Sequence, residues 1–188
     1  MRSAVRPEPI GTARLDLLPL RVDHAARMAA VLADPALHTF TGGAPSTPEA
    51  LRERYERLVA GSPDPSVSWC NWVLRTRDDG CLAGTVQATV SGGREAEIAW
   101  VVGVPWQGRG LASEAARGLV GWLRDQGVRT IVAHVHPDHL ASAAVAAAAG
   151  LSPTREEPGR RDQVTPPPAE AGGFSLCRVG VATDQPGP

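Results

Sequence analysis

One stretch limits what this chain can fold into more than any other: Glu97-Ile-Ala-Trp-Val-Val-Gly-Val-Pro-Trp-Gln-Gly-Arg-Gly-Leu-Ala-Ser-Glu-Ala-Ala116. It reads as a strand ending at Pro105, a glycine-punctuated loop, and a helix whose first turn lies near Leu111 and Ala112. The stretch also separates two patterns. Upstream, Val67–Arg75, Cys81–Val90 and Glu95–Val104 have strand character, with turns at Asp79-Gly80 and Gly92-Gly93, the marks of an antiparallel meander. Downstream come a helix over Ala112–Gln126 stopped by Gly127, a buried strand over Thr130–Val135, and a helix over Ala141–Ala149 ended by Gly150. Consecutive strands followed by strand–helix alternation predict an α+β arrangement.

The flanks are read in the same way. Residues 1–11 are expected to form a flexible leader, and Ala13-Arg-Leu-Asp-Leu-Leu alternates like a first strand. Asp23 can cap a helix running to about Ala33, which Asp34-Pro35 ends. The next helix has Thr47 as N-cap, Pro48 at its first position, Glu49 complementing the dipole and Gly61 past its end, with Leu51, Tyr55, Leu58 and Val59 as one apolar face. Residues 152–173, rich in proline, glycine and charge, are expected to form a long loop. Phe174–Val181 can return as a final strand, and residues 182–188 are expected to be a loose tail. One domain over 12–181 accounts for the length of 188 residues.

Composition narrows the partners. A net charge of −1 with interspersed signs gives no electrostatic footprint for nucleic acid or an anionic membrane. Ala141–Ala149 is about half the length of a membrane span, and no apolar run follows the arginines of the amino terminus as a secretory signal would need. Cys70, Cys81 and Cys177 are odd in number and widely spaced, which suits a reducing compartment. The expected location is the cytoplasm, with all three cysteines as buried small apolar residues.

In the loop, Gln107-Gly108-Arg109-Gly110-Leu111-Ala112 has the spacing Q-x-x-G-x-A. The first N–H groups of a helix have no intrahelical partners and carry the positive end of its dipole, so main chain alone can hold a phosphate there. Small residues keep side chains out of the way, and Arg109 can add a charge-assisted contact. No Gly-Lys-Ser/Thr follows, which excludes a Walker loop, and Ser113 occupies the place of the third glycine of a dinucleotide fingerprint. The same glycines can also do no more than close a tight turn.

These motifs resemble the GNAT superfamily of N-acetyltransferases, in the branch of ribosomal-protein N-terminal acetyltransferases (RimJ/RimL type). The resemblance runs over roughly residues 12 to 151: Thr12-Ala-Arg-Leu-Asp-Leu-Leu-Pro-Leu for the opening strand, Glu97-Ile-Ala-Trp100 for the fourth strand, Gly110-Leu-Ala-Ser-Glu-Ala for the third helix, and Pro137-Asp-His-Leu-Ala-Ser142 for the entry to the last helix. It implies the GNAT fold, with helices on both faces of the sheet and a splayed fourth and fifth strand, and acetyl-CoA as co-substrate with no metal. Gln107, Gly108, Arg109, Gly110, Leu111, Ala112 and Ser113 would take the diphosphate. Backbone at Val102 and Val104, beside Gly103 as the bend, would meet the pantetheine arm.

The resemblance also implies a mechanism: acetyl transfer to a primary amine, either a protein N-terminal α-amine or a small-molecule amine, in a ternary complex. The base would be Glu97, with Glu95 two residues away on the same strand face as its competitor. An α-amine of pKa about 7.8 needs only about 1 kcal/mol to lose its proton at pH 7, against about 4.6 kcal/mol for a lysine amine. A fourth-strand N–H, at Val102, would polarise the carbonyl. The family's thiolate-protonating tyrosine is replaced by Ala146. His139 replaces the family's asparagine and offers an imidazole for the pantetheine contact or for proton donation. Ser142 is a further cofactor contact, although both residues stand where a helix begins and where capping is an ordinary role. Whether the protein is a monomer or a homodimer stays open.

Two other readings remain. A GNAT fold can bind acyl-CoA without transferring the acyl group, which the missing tyrosine would suit. His134-Val-His-Pro-Asp-His139 has the HxHxDH spacing of metal-dependent hydrolases, but no histidine follows His139 and only 49 residues remain.

Overall fold

In a computed structural model of the chain, the structure describes residues 5–92, 94–153 and, as backbone, 177–180. Eight strands form one sheet: β1 (Ile10–Gly11), β2 (Leu15–Pro19), β3 (Val67–Thr76), β4 (Leu82–Ser91), β5 (Glu95–Val102), β6 (Thr130–Val135), β7 (Ser152–Pro153) and β8 (Cys177–Gly180), in the order β1-β2-β3-β4-β5-β6-β8-β7. Every neighbouring pair is antiparallel except β5 and β6. Helices α1 (Ala25–Val31) and α2 (Pro48–Ala60) cover one face, where Met28, Leu51, Tyr55 and Leu58 pack on Val73 and Leu82. Helices α3 (Leu111–Asp125) and α4 (Leu140–Ala148) cover the other, where Leu119, Leu123 and Ala146 meet Leu15, Trp72, Ile98 and Ile131. Among the described helices none is long and apolar enough to cross a membrane.

The meander forms as the alternation predicts. In β4 each residue from Val86 to Val90 takes the opposite burial of its neighbour, so Val86, Ala88 and Val90 enter the α3 side of the core while Gln87 and Thr89 face the α1 side. Helix α2 starts where its signals place it: the Thr47 hydroxyl accepts from the Ala50 N–H at 3.2 Å, Pro48 opens the helix, and Gly61 ends it at φ +87°.

Several expectations need correcting. Val59 is 52% exposed, so the buried face of α2 is Leu51, Tyr55 and Leu58. Asp23 caps nothing; it lies in a 3₁₀ turn over Val22–His24, and its carboxylate pairs with the Arg21 guanidinium at 2.5 Å. Residues 5–11 are tied to the sheet and do not form a loose leader: Ile10–Gly11 pairs with β2, and the Trp72 indole donates to the Glu8 carbonyl at 2.8 Å. Cys70 is buried as expected and burial pushes its thiol up to about 12, whereas Cys81 is only half-buried; the side chain of Cys177 lies outside the described residues. Ser152–Pro153, expected to open the long loop, forms a two-residue strand on β8; residues 154–173 and 182–188 lie outside the described residues. The final strand spans Cys177–Gly180, within the expected Phe174–Val181.

Candidate functional site

The stretch from Glu97 to Ala116 does three structural things. First, β5 leaves its neighbour: pairing with β6 covers Glu95↔Thr130, Ala96↔Ile131 and Glu97↔Val132 and goes no further. On its other edge β5 stays paired with β4 to Val102, and the Gly103 N–H donates to Ala83. In an antiparallel ladder the backbone groups of alternate residues point to opposite edges. With Gly103 turned to β4, the main chain of Trp100 and Val102 is turned to the side from which β6 has departed.

Second, β5 stops at Val102 and not at Val104. Val104–Trp106 makes a 3₁₀ turn, and Gly103 packs so tightly that a Cβ there would lie 2.8 Å from the Val31 carbonyl oxygen. Its φ of −57° is open to any residue. The glycine is required by this close approach, and no β-bulge stands at that position. The Gln107 side-chain amide folds back and donates to the Val102 carbonyl at 2.9 Å, while the Gln107 N–H donates to Val104. Gln107 therefore fixes the strand end.

Third, the loop delivers the start of α3 with its N–H groups clear. Gly108 and Gly110 have φ of +70° and +74°, the left-handed region that side chains avoid. Gly110 is the N-cap, so no side chain caps the helix, and its carbonyl receives the Glu114 N–H at 3.1 Å. Leu111 is buried, and Ala112 and Ser113 are half-buried. Three uncapped N–H groups, a dipole end and two residues without Cβ suit an anion such as a diphosphate.

A cluster that sequence reasoning missed holds this loop. Glu114, 8% exposed, accepts from the Thr12 hydroxyl at 2.7 Å, the Arg14 N–H at 2.6 Å and the Arg14 Nε at 2.7 Å, and Arg14 Nη1 donates to the Arg109 carbonyl at 2.8 Å. Burial pushes the Glu114 carboxyl up, but the hydrogen bonds from Thr12 and Arg14 outweigh it and hold the group below its ordinary range. Nothing local in the sequence links residues 100 apart; an acidic residue in the first turn of α3 was the only signal. Beside the loop a cavity of about 290 Å³ is lined by Arg14, Arg77 and Arg109 together with Asp78, which Arg109 approaches at 3.8 Å.

On the α1 face of β5, Glu97 is half-buried and Glu95 exposed. Glu97 Oε2 lies 3.7 Å from His134 Nε2 of β6, a pairing also missed. Alternation orders side chains within each strand and says nothing of this pairing between strands, which only the tertiary fold makes.

The remaining histidines have separate surroundings. His136 Nδ1 accepts from the Asp138 N–H at 3.1 Å. His139, at the start of α4, stacks on Phe40 with ring centroids 4.2 Å apart, and Phe40 also meets His136 at 5.4 Å. Burial, with a smaller contribution from His136, lowers the His139 pKa. Neither His139 nor Ser142 caps α4 through its side chain, and the half-buried Ser142 hydroxyl has no hydrogen-bond partner among the described residues. The HxHxDH spacing thus divides among Glu97, Asp138 and Phe40, and among the described residues no group of three could hold a metal ion. Ala146, where a proton-donating tyrosine would stand, is fully buried.

The family model for the acetyltransferase (GNAT) domain matches residues 14–152. Several solved structures share the fold. A RimL ribosomal L7/L12 α-N-protein acetyltransferase in complex with coenzyme A is 16% identical, with 94% of this chain and 99% of that one covered and a TM-score of 0.72. A GNAT-family acetyltransferase from Bacillus anthracis is 18% identical, with 92% and 96% covered and a TM-score of 0.68. The microcin C7 self-immunity acetyltransferase MccE, in complex with acetyl-CoA and AMP, is 14% identical, with 89% and 92% covered and a TM-score of 0.69. At such identities the likeness establishes the fold alone. No curated protein matches the chain.

Proposed function

The chain belongs to the GNAT acetyltransferase family, and on that premise we propose that it passes the acetyl group of acetyl-CoA directly to a primary amine, a protein N-terminal α-amine or a small-molecule amine, within a ternary complex. Acetyl-CoA-dependent acetyl transfer is the family's activity; the acceptor and the residues that serve it are the proposal. One observation carries it: the pairing of β5 with β6 ends at Glu97↔Val132, so a free strand edge opens between the bare N-terminus of α3 on one side and the Glu97 carboxylate on the other.

The main-chain N–H groups of Leu111, Ala112 and Ser113, with Arg109 nearby, would hold the diphosphate. The free edge of β5 at Trp100 would pair with an amide group of the pantetheine arm, as an added strand does, while the Val102 carbonyl already accepts from the Gln107 amide. A Val102 N–H aimed at the carbonyl oxygen would stabilise the charge that develops there. Glu97, directly or through one water, takes the amine proton; its half-buried setting favours it over the exposed Glu95. The nitrogen–carbon bond forms, the carbon–sulfur bond breaks, and sulfur leaves as a thiolate. One proton goes to Glu97 and one returns to sulfur from water or from the protonated form of His139, which burial disfavours, so none is consumed overall. With Ala146 buried and no hydroxyl there, a thiolate of ordinary pKa about 8.5 is a tolerable leaving group.

The test is thiol release from acetyl-CoA against a panel of amines. Release with α-amines supports the reading; acetyl-CoA bound with no release for any amine would sink it. We also propose a cytoplasmic location, which the free thiols of Cys70 and Cys81 suit.

A further inference from the structure

The sheet face that carries Glu97 also carries an ordered set of polar side chains. Cross-strand register lines up Trp69, Thr89 and Glu97 in one row and Asn71, Gln87 and Ala99 in the next. Directly opposed residues project to the same side and lie within reach of one another. Helices α1 and α2 cover this face around Val73 and Leu82, with Trp69 partly beneath them, and leave Ala99 exposed.

Asn71, Gln87 and Thr89 are half-buried, and among the described residues none of their side chains has a hydrogen-bond partner. Their polar atoms are not sealed, since the buried and unpartnered side-chain polar atoms are those of Tyr55, Trp69 and Trp122. Polar side-chain atoms that water can reach need no protein partner, and most side-chain hydrogen bonds go to backbone or to water. Here the donors and acceptors are open to water or to a ligand, and at the row's far end the Trp69 Nε1–H is a donor without an acceptor.

The chemistry of the row defines what fits it. A carboxamide offers one acceptor and two donors, and a hydroxyl offers both roles; these complement the N–H and C=O of a peptide unit. Apart from Glu97 the two rows are uncharged, so they lack the carboxylates that a polycation would need and the cations that a polyanion would need. From β5 to β3 is two inter-strand gaps, about 10 Å, the reach of about three extended residues.

From this geometry we infer that Asn71, Gln87 and Thr89 form the acceptor-binding floor, and that the acceptor is a neutral, amide-bearing amine: the first three residues of a peptide whose free α-amine reaches Glu97. The inference rests on the proposed acetyl transfer and narrows its acceptor. A peptide lying across the strands presents its amide groups to Thr89, Gln87 and Asn71 in turn, and its length is bounded by the cover of α1 and α2 over Val73.

The test uses the full chain saturated with CoA and titrated by calorimetry with amidated Ala-Ala-Ala, alanine methyl ester and spermidine. The tripeptide should bind more tightly than the other two, and the Asn71→Leu/Gln87→Leu double variant should weaken it about tenfold, the loss expected for two hydrogen bonds. The same variant should change the ester, which has the α-amine but no amide N–H, by less than twofold. Thr89→Val, nearly isosteric, gives a second reading of the tripeptide loss should the double variant fold poorly. Tripeptide affinity unchanged in both variants, no tripeptide binding, or tighter binding of spermidine overturns the inference. Thiol release is measured separately: ester acetylation with variant-insensitive tripeptide binding removes the floor and keeps the transfer, whereas variant-sensitive binding with no release removes the transfer and keeps the floor.

Discussion

At the scale of single residues, the roles proposed around the splayed strand can be separated by substitution. Ala112 lies in the first turn of α3, where a glutamate favours the helix dipole but places a carboxylate where a diphosphate would bind. Ala112→Glu should leave the melting temperature within a few degrees of wild type and weaken acetyl-CoA at least about a hundredfold, or about 2.7 kcal/mol, by calorimetry. Gly110→Glu is a poorer test, because the left-handed φ of +74° strains any side chain. For the proposed base, Glu97→Gln should lower kcat/KM for an α-amine by about a hundredfold with acetyl-CoA affinity unchanged; full activity would move the role to Glu95. Glu114 is a stability residue. Its folded pKa lies below the unfolded one, so its contribution is full above the unfolded value of about 4.3 and is lost as pH falls through the lower folded value. Glu114→Gln should therefore cost about 1–3 kcal/mol at pH 7 by chemical denaturation, and the difference should begin to narrow below about pH 4.3 and close once pH has fallen through the lower folded value. Residue roles that are local were legible, as with the Thr47 cap. Glu114 with Thr12 and Arg14, Glu97 with His134, and Phe40 with His139 were not, because each pair is joined only by tertiary contact.

At the scale of elements, the strand edges and helix starts were legible because they follow from periodicity and turn chemistry, while endpoints gave way to packing. β5 was expected to reach Val104 and stops at Val102, since the Gln107 amide and the contact of Gly103 with Val31 pull the chain out of the sheet. Asp23 has the composition of a cap, but Arg21 competes for its carboxylate. Residues 5–11 looked loose because two short hydrogen-bonded contacts, at Ser68 and Trp72, carry no local pattern. The same close packing makes the splay sensitive to β4. A Cβ on Gly84 would lie 2.1 Å from the Val101 carbonyl oxygen, which is backbone and cannot turn aside. Gly84→Ala should push β5 from β4, lower the melting temperature by several degrees and weaken acetyl-CoA, although Gly84 faces no ligand. A variant that melts like wild type would show that the strand end can shift without cost.

At the scale of the whole molecule, the sheet divides the protein into two working sides. The loop proposed to hold the diphosphate belongs to the α3 and α4 side, and Glu97 with its polar rows belongs to the α1 and α2 side. The proposed thioester and amine would meet only where β5 parts from β6, so neither substrate need leave before the other binds. This arrangement gives no use to a covalent acetyl-enzyme. Cys70 is buried, with its thiol pushed up to about 12, and burial followed by the neighbouring Asp79 carboxylate also pushes the Cys81 thiol at the β3–β4 hairpin upward. A thiol held in its protonated form by burial is a poor nucleophile. Initial-rate plots at several fixed amine concentrations should therefore intersect, and the protein incubated with acetyl-CoA alone should show no gain in mass. Parallel plots with a stoichiometric acetyl-enzyme would mean that a nucleophile of the chain takes the acetyl group first, and that the two faces act in turn.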